Sequence, residues 1–311
     1  MVLNRKLLTG AFMALASGAI SLPASAETLQ ISGIYPAASD GAAALNVISV
    51  ERFSGPDGPA LSFRVSDRLR SAQVQGEPYF TVLVEQLAAD ADAVLTGHLL
   101  PTFSEQEYEG EREICWAEDD RGRCIERREI TLDCIRVTMN VRPEMQLIGR
   151  NGNLLWNSDL HRSHRTSFCP ELDDAPDADG PIARMIDEIA DETRRQLAPV
   201  YRVHDVRIME RRRGLEGQDR DDFRAAIRLT DTDEEAACAE FERLHAANPD
   251  HPALSFNIGL CAEQRYDIDA AESAYSHALQ FEDSDDEAQA GLQRLQDRMR
   301  ADTQMANHFG Q

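Results

Sequence analysis

Six cysteines carry the clearest chemistry in this chain: Cys115, Cys124, Cys134, Cys169, Cys238 and Cys261. None stands in a Cys-x-x-Cys pair or a Cys/His cluster with zinc spacing, so no metal is expected on them. An even count in an exported chain points to disulfides. Cys115 and Cys124 flank WAEDDRGR, a stretch rich in turn formers, and would face each other across a short hairpin. Asn151-Gly152 is a strong hairpin turn, because both residues tolerate positive φ. If Arg150 faces Asn153, counting back along two strands in register sets Cys134 opposite Cys169, a count that one bulge would spoil. The pairs 115–124 and 134–169 are therefore expected. Cys238 and Cys261 fall in predicted helices, and either bridge neighbouring helices or sit as two small buried residues.

Other candidate chemistry is thin. His161 and His164, in HRSH, lie on a predicted strand at an odd spacing, so they point to opposite faces and do not share one ion. DDAPDADG has the composition of a calcium loop. Yet with Gly180 as the loop glycine, Ala175 and Ile186 fall where carboxylates are required. No Gly-x-Ser-x-Gly, P-loop, Rossmann or His-Glu-x-x-His pattern occurs. No catalytic residue, cofactor or metal is expected, and the chain is read as a non-enzyme.

The surrounding chain supplies the context. MVLNRK is followed by the apolar run LLTGAFMALASGAISL and by PASA, the charged, apolar and small-residue order of a secretory signal ending at Ala26. No cysteine follows the expected cleavage site, so a lipoprotein is not expected. No later segment is long and apolar enough to cross a bilayer. These features predict a periplasmic protein. With 42% hydrophobic and 28% charged residues the composition is that of a globular protein. A formal net charge of −23 excludes nucleic-acid binding by bulk electrostatics.

The elements that must position these residues can be read from periodicity. Residues 27 to 44 look like a loose lead-in. LNVISVERF reads as a strand. After SGPDGP, Leu61, Val65 and Leu69 recur at helical spacing, with Pro59 in the first turn. PYFTVLV and AVLTGHLLPTF are further strands, with VEQLAADAD a short helix or loop between them. Residues 108 to 169 form a β-meander, and PIARMIDEIADETRRQL a helix with Ile182, Met185, Ile186 and Ile189 on one face. Residues 204 to 217 read as a linker containing the basic knot Arg211 to Arg213. The knot is either a solvated linker or helix end, or a docking patch for an acidic surface on the first domain.

Residues 45 to 201 resemble the α/β domain shared by the curli-secretion CsgG group and the TolB amino-terminal domain. LNVISVERF with SGPDG, then PYFTVLV, ADAVLTGHL and GRNGNLLW, stand where that family has its strands and its glycine turn. The resemblance implies a role in envelope assembly and binding rather than catalysis. The lipid-anchoring cysteine of the pore-forming members is absent here. The hairpin near 107–130 is too charged to face lipid, so a pore is not expected.

The last third resembles tetratricopeptide repeats over residues 218 to 285. Gly259, Ala271, Tyr275 and Ala278 take the small and large signature positions of a unit of about 34 residues that begins at Pro252. One unit earlier, Ala225, Ala237 and Phe241 take the matching positions and Pro249 follows the second helix. Ser255, Ala262, Leu244 and Asp283 depart from the pattern. DDEAQAGLQRLQDRMR would be a capping helix, with a tail over residues 301–311. The resemblance implies a protein or peptide partner on the concave face, at Phe256, Leu260 and Glu263.

The expected fold class is α+β. A mixed α/β sheet domain with a disulfide-stapled β-meander, residues 27–203, is followed by an all-α repeat domain, residues 218–300. The expected function is an exported, periplasmic, protein-binding adaptor or scaffold of the cell envelope. The alternative is an exported hydrolase whose site is assembled in space and leaves no mark in the sequence.

Overall fold

The structure, a computed structural model, describes residues 27–83, 85–281 and 285–310. The expected signal segment, residues 1–26, lies outside the described residues. The chain starts with β1 (Thr28–Tyr35), α1 (Asp40–Ala43) and β2 (Val47–Val50). Residues 27 to 44 are therefore not a loose lead-in. TLQISGIY alternates, with Leu29, Ile31 and Tyr35 buried on one face. The surface that buries them comes from the far end of the chain, so the short run looked featureless by itself.

Next come α2 (Gly58–Arg70), β3 (Gln73–Val74), β4 (Glu77–Pro78), β5 (Thr81–Leu83), a 3-10 turn over 85–90, and β6 (Ala93–His98). The chain continues through β7 (Thr102–Glu118), β8 (Cys124–Val141), β9 (Glu144–Gly149), β10 (Leu154–Asn157), β11 (Arg162–Phe168) and α3 (Asp179–Leu197). One sheet has the order β10-β9-β6-β2-β5. In it β2 runs parallel to β5 and β6, while β9 is antiparallel to β6 and β10. Parallel neighbours need a crossover, and α2 supplies the one from β2 to β5. The helical stripe Leu61, Val65 and Leu69 and that of Ile182, Ile186 and Ile189 share one core with Ile48 and Leu95. Arg64 and Arg68 on α2 reach Asp187 and Asp191 on α3, which fixes the register of the two helices.

A second sheet, β11-β8-β7, carries the long hairpin. Its tip is closed by Cys115–Cys124 and its base by Cys134–Cys169. Gly110 on β7 lies against that lower bridge: a Cβ there would sit 2.8 Å from Cys134 Sγ. The expected pairing of Cys134 with Cys169 is present, but two deviations cancel on the way to it. The Asn151-Gly152 turn closes one residue wider than expected, with Gly149 N donating to Asn153 O at 2.9 Å. A bulge between Leu154 and Trp156 then shifts the ladder back. The register of Phe168 with Ile135 carries on to the disulfide.

The remaining elements are β12 (Val200–Arg207), α4 (Gly217–Leu229), α5 (Glu234–Ala247), α6 (Pro252–Gln264), α7 (Ile268–Ala278) and α8 (Asp285–Phe309). β12 pairs antiparallel with β1 from Thr28↔Arg207 to Tyr35↔Val200. The expected linker thus begins inside a strand. Leu29 and Ile31 of this ribbon join Phe223, Phe241, Leu254 and Leu260 in a second core. Cys238 on α5 and Cys261 on α6 are bridged, which resolves the choice the sequence left open. The protein is therefore a mixed α and β fold with three disulfides. Among the described residues no helix is long and apolar enough to cross a membrane.

Residues 301 to 309 are not a tail. They are the last turns of α8, which returns to the first core. Gln304 accepts from Ala37 N at 2.8 Å and donates to Ala37 O at 3.1 Å. The His308 ring stacks on Tyr79 with centroids 3.9 Å apart. Burial holds the His308 imidazole below its ordinary 6.5. The unfolded chain therefore takes up the proton first as pH falls through 6.5. The stability this group contributes is complete above 6.5 and is lost as pH drops through the lower, folded value. Thermal melts between about pH 7.5 and about pH 5 should show a falling Tm. His308→Phe should make that fall shallower, with the remainder due to His204, His245 and His251, which burial shifts in the same direction.

Candidate functional site

The residues expected to meet a partner are enclosed by the chain itself. Phe256 is 1% exposed, and Leu260 and Glu263 are 0% exposed. The inner face of α6 is covered by β1 and α8, which pack on it directly. Phe256 and Leu260 are thus part of the second core, and Glu263 is an internal anchor rather than a contact for a partner.

Glu263 organises a buried polar cluster. Its carboxylate accepts from Tyr275 Oη at 2.7 Å and from Arg294 Nε and Nη2 at 3.0 and 2.7 Å. Its main-chain oxygen accepts from Arg298 Nη1 at 2.8 Å. The Tyr275 ring fits because two glycines flank it: a Cβ on Gly259 or Gly291 would lie 2.7 Å from the ring. Burial and then the charge of Glu263 push the Tyr275 phenol well above its ordinary range. Tyr35 and His204, 4.8 Å apart at their ring centroids, line the same interior from the ribbon. Burial raises the Tyr35 phenol and lowers the His204 imidazole, so both are neutral near pH 7. The cluster is built to hold the ribbon against α6 and α8.

Elsewhere the helices grip extended main chain through side-chain amides. Asn257 Oδ1 accepts from Met209 N at 2.8 Å, and Asn257 Nδ2 donates to Met209 O at 3.0 Å. Gln264 Nε2 donates to Gln30 O at 3.4 Å. β1 at Gln30 and the segment after β12 at Met209 thus lie on α6 as a bound peptide would.

Beside this covered face an open groove of about 570 Å³ remains, lined by Ile34, Val74, Tyr201, Tyr266, Arg298 and Asp302. Tyr201 and Tyr266 are 62% and 45% exposed, and Arg298 is 4% exposed. The Arg298 guanidinium lies 4.4 Å from the Tyr266 ring centroid. It also fits against Gly33, where a Cβ would be 3.0 Å from Arg298 Nε. Tyr266 donates to Asp302, and burial, followed by that hydrogen bond, moves its phenol up to about 12. None of these groove residues stood out in the sequence, because they come from five separate elements or turns. Tyr266 itself sits at the turn between α6 and α7 with φ of 61°, an uncommon conformation for a bulky residue that only the structure reveals.

The other sequence candidates have structural explanations. His161 lies just before β11 and His164 within it, opposite Met139. In the acidic loop, Asp173 accepts from Cys169 N at 3.0 Å, and Asp177 from Asp179 N at 3.2 Å. These carboxylates serve their own loop. No group of three His, Cys, Asp or Glu side chains converges among the described residues. Arg212 and Arg213 line a cavity of about 570 Å³ together with Arg220 at the start of α4.

No protein-family model matches the chain, and no curated protein does. Among solved structures it is similar in part to two crystal forms of the PelC dodecamer from Paraburkholderia phytofirmans. One is 15% identical, with 53% of this chain and 97% of that chain covered and a TM-score of 0.22. The other is 15% identical, with 54% and 98% covered and a TM-score of 0.23. Superposition at this level carries no functional argument.

Proposed function

We propose that the chain is an exported protein-binding adaptor or scaffold of the bacterial cell envelope, with no catalysis of its own. The observation that carries this reading is the way the helices hold extended main chain. Asn257 reads both the N–H and the C=O of Met209. Paired hydrogen bonds from side chain to main chain bind a peptide whatever its sequence, and nearby pockets add specificity. The covered part of α6 is taken by the ribbon, so a partner segment would lie in the neighbouring groove against Tyr201 and Tyr266. Exposed tyrosines beside a nearly buried arginine are the side chains enriched where interfaces draw their affinity.

The repeat reading is supported by the two antiparallel pairs α4/α5 and α6/α7, with α8 as the cap. The CsgG/TolB-like reading is supported by the mixed five-stranded sheet and its two helices. Three disulfides and the signal-like amino terminus support export to an oxidising compartment. The test is a cross-linked pull-down from the native envelope with the mature chain and with its Tyr201→Ala, Tyr266→Ala double variant. Truncation near Arg213 is a poor control, because it would strip Leu29 and Ile31 of their core. The expected result is a specific partner lost with the double variant, a drop of about tenfold or more in capture. Equal capture by both chains would sink the groove assignment, and capture by neither would remove the adaptor reading.

A further inference from the structure

The β7–β8 hairpin leaves the body of the protein as a two-stranded arm with exposed side chains on both faces towards its tip. Successive residues of a strand alternate faces, and β7 places Glu105, Glu107, Glu109, Glu111 and Glu113 on one of them. Across the ladder, Asp133 faces Glu109 and Glu129 faces Glu113. Like charges directly opposite each other destabilise a sheet. Of these carboxylates only Glu113 has an ion-pair partner among the described residues, Arg127 at 2.9 Å. The Cys115–Cys124 bridge holds the arm closed despite this repulsion. β7 is also the outer strand of its sheet, so its outer backbone edge is unpaired, and the five glutamates are exposed.

The same chain carries a surface of the opposite sign. Arg212, Arg213 and Arg220 line one open cavity, and none of the three is paired with a carboxylate among the described residues. Glu210 and Glu216 also line it, but Glu210 is engaged by Arg207 at 3.5 Å. The cavity opens at the start of α4, whose N-cap, Glu216, makes no side-chain capping bond, so the positive end of the helix adds to the potential. In a chain with a formal net charge of −23, an arginine cluster of this kind is conspicuous.

We infer that the acidic face of the arm docks into the arginine cavity of a second copy of this chain, in a head-to-tail contact. The two surfaces differ, so the association is heterologous and extends to a ring or a filament instead of stopping at a two-fold dimer. Exposed charges over this distance are screened by salt, so assembly is salt-sensitive.

Sedimentation velocity on the full mature chain tests this. Self-association should weaken about tenfold or more between about 50 mM and about 500 mM salt. Glu107→Arg, Glu109→Arg, Glu111→Arg should sediment as a monomer, and so should Arg212→Glu, Arg213→Glu, Arg220→Glu. Five of the six positions are exposed and Arg212 is half-buried, and circular dichroism should show an unchanged fold. Combining both sets in one chain restores opposite signs and should restore salt-sensitive assembly. A monomeric wild type at about 50 mM salt, association that survives either reversal, or failure of the combined variant to reassemble would each overturn the proposal.

Discussion

Glu263→Ala should be the most damaging single substitution in the helical half, lowering stability by about 3–5 kcal/mol. The wild-type carboxylate is fully buried and takes hydrogen bonds from Tyr275 and Arg294. Removing it strands a guanidinium and a phenol in the interior. The penalty for an uncompensated buried charge, not the worth of the ion pair, sets the size of the loss. Urea denaturation reads this as a drop in midpoint at constant slope. A companion variant separates the two ideas. Glu263→Leu with Arg294→Met removes both charges and should recover most of the loss. If the double variant is as unstable as Glu263→Ala, packing around Tyr275 rather than charge is responsible.

The second large effect belongs to the bridge at the base of the arm. Replacing Cys134 and Cys169 by alanine should cost about 3–4 kcal/mol by loop-closure entropy, for a sequence separation of 35. The bridge ties β8 to the end of β11 and forms a small cluster with Leu132. The Cys115–Cys124 bridge closes a sequence separation of only 9, and its removal should cost about 2–3 kcal/mol. Thermal melts of the two double variants should rank in that order. The reverse order would mean that strand pairing along the arm contributes less than its length suggests.

Local patterns were legible in the sequence. Leu61, Val65 and Leu69, and Ile182, Ile186 and Ile189, declare their helices because a buried stripe needs helical spacing. The spacing of Cys115 and Cys124 was enough to give their bridge, since a short turn leaves little choice. Long-range partners were not legible. β1 was misread because its alternation is short and its cover lies in α6 and α8. The groove escaped notice for the same reason: Ile34, Tyr201, Tyr266 and Asp302 share no window of sequence. Phe256, Leu260 and Glu263 lie together on α6 but are buried, not open to a partner. No local rule indicates that the chain's own first strand covers that face.

That covering strand has a consequence for the order of events in synthesis. β1 is the first described element to be made, and its partner β12 follows almost the whole α/β core. Its buried face waits longer still, for α6 and α8. Pairings this distant are slow to form. Until α8 emerges, Leu29 and Ile31 at the start and Ala37 and Tyr79 further on lack the groups that cover them. Among the described residues α8, the last helix, thus acts as the clasp on β1, the first strand. A nascent chain presents apolar surface that only completion of α8 removes, and this is the stage at which it is most open to aggregation.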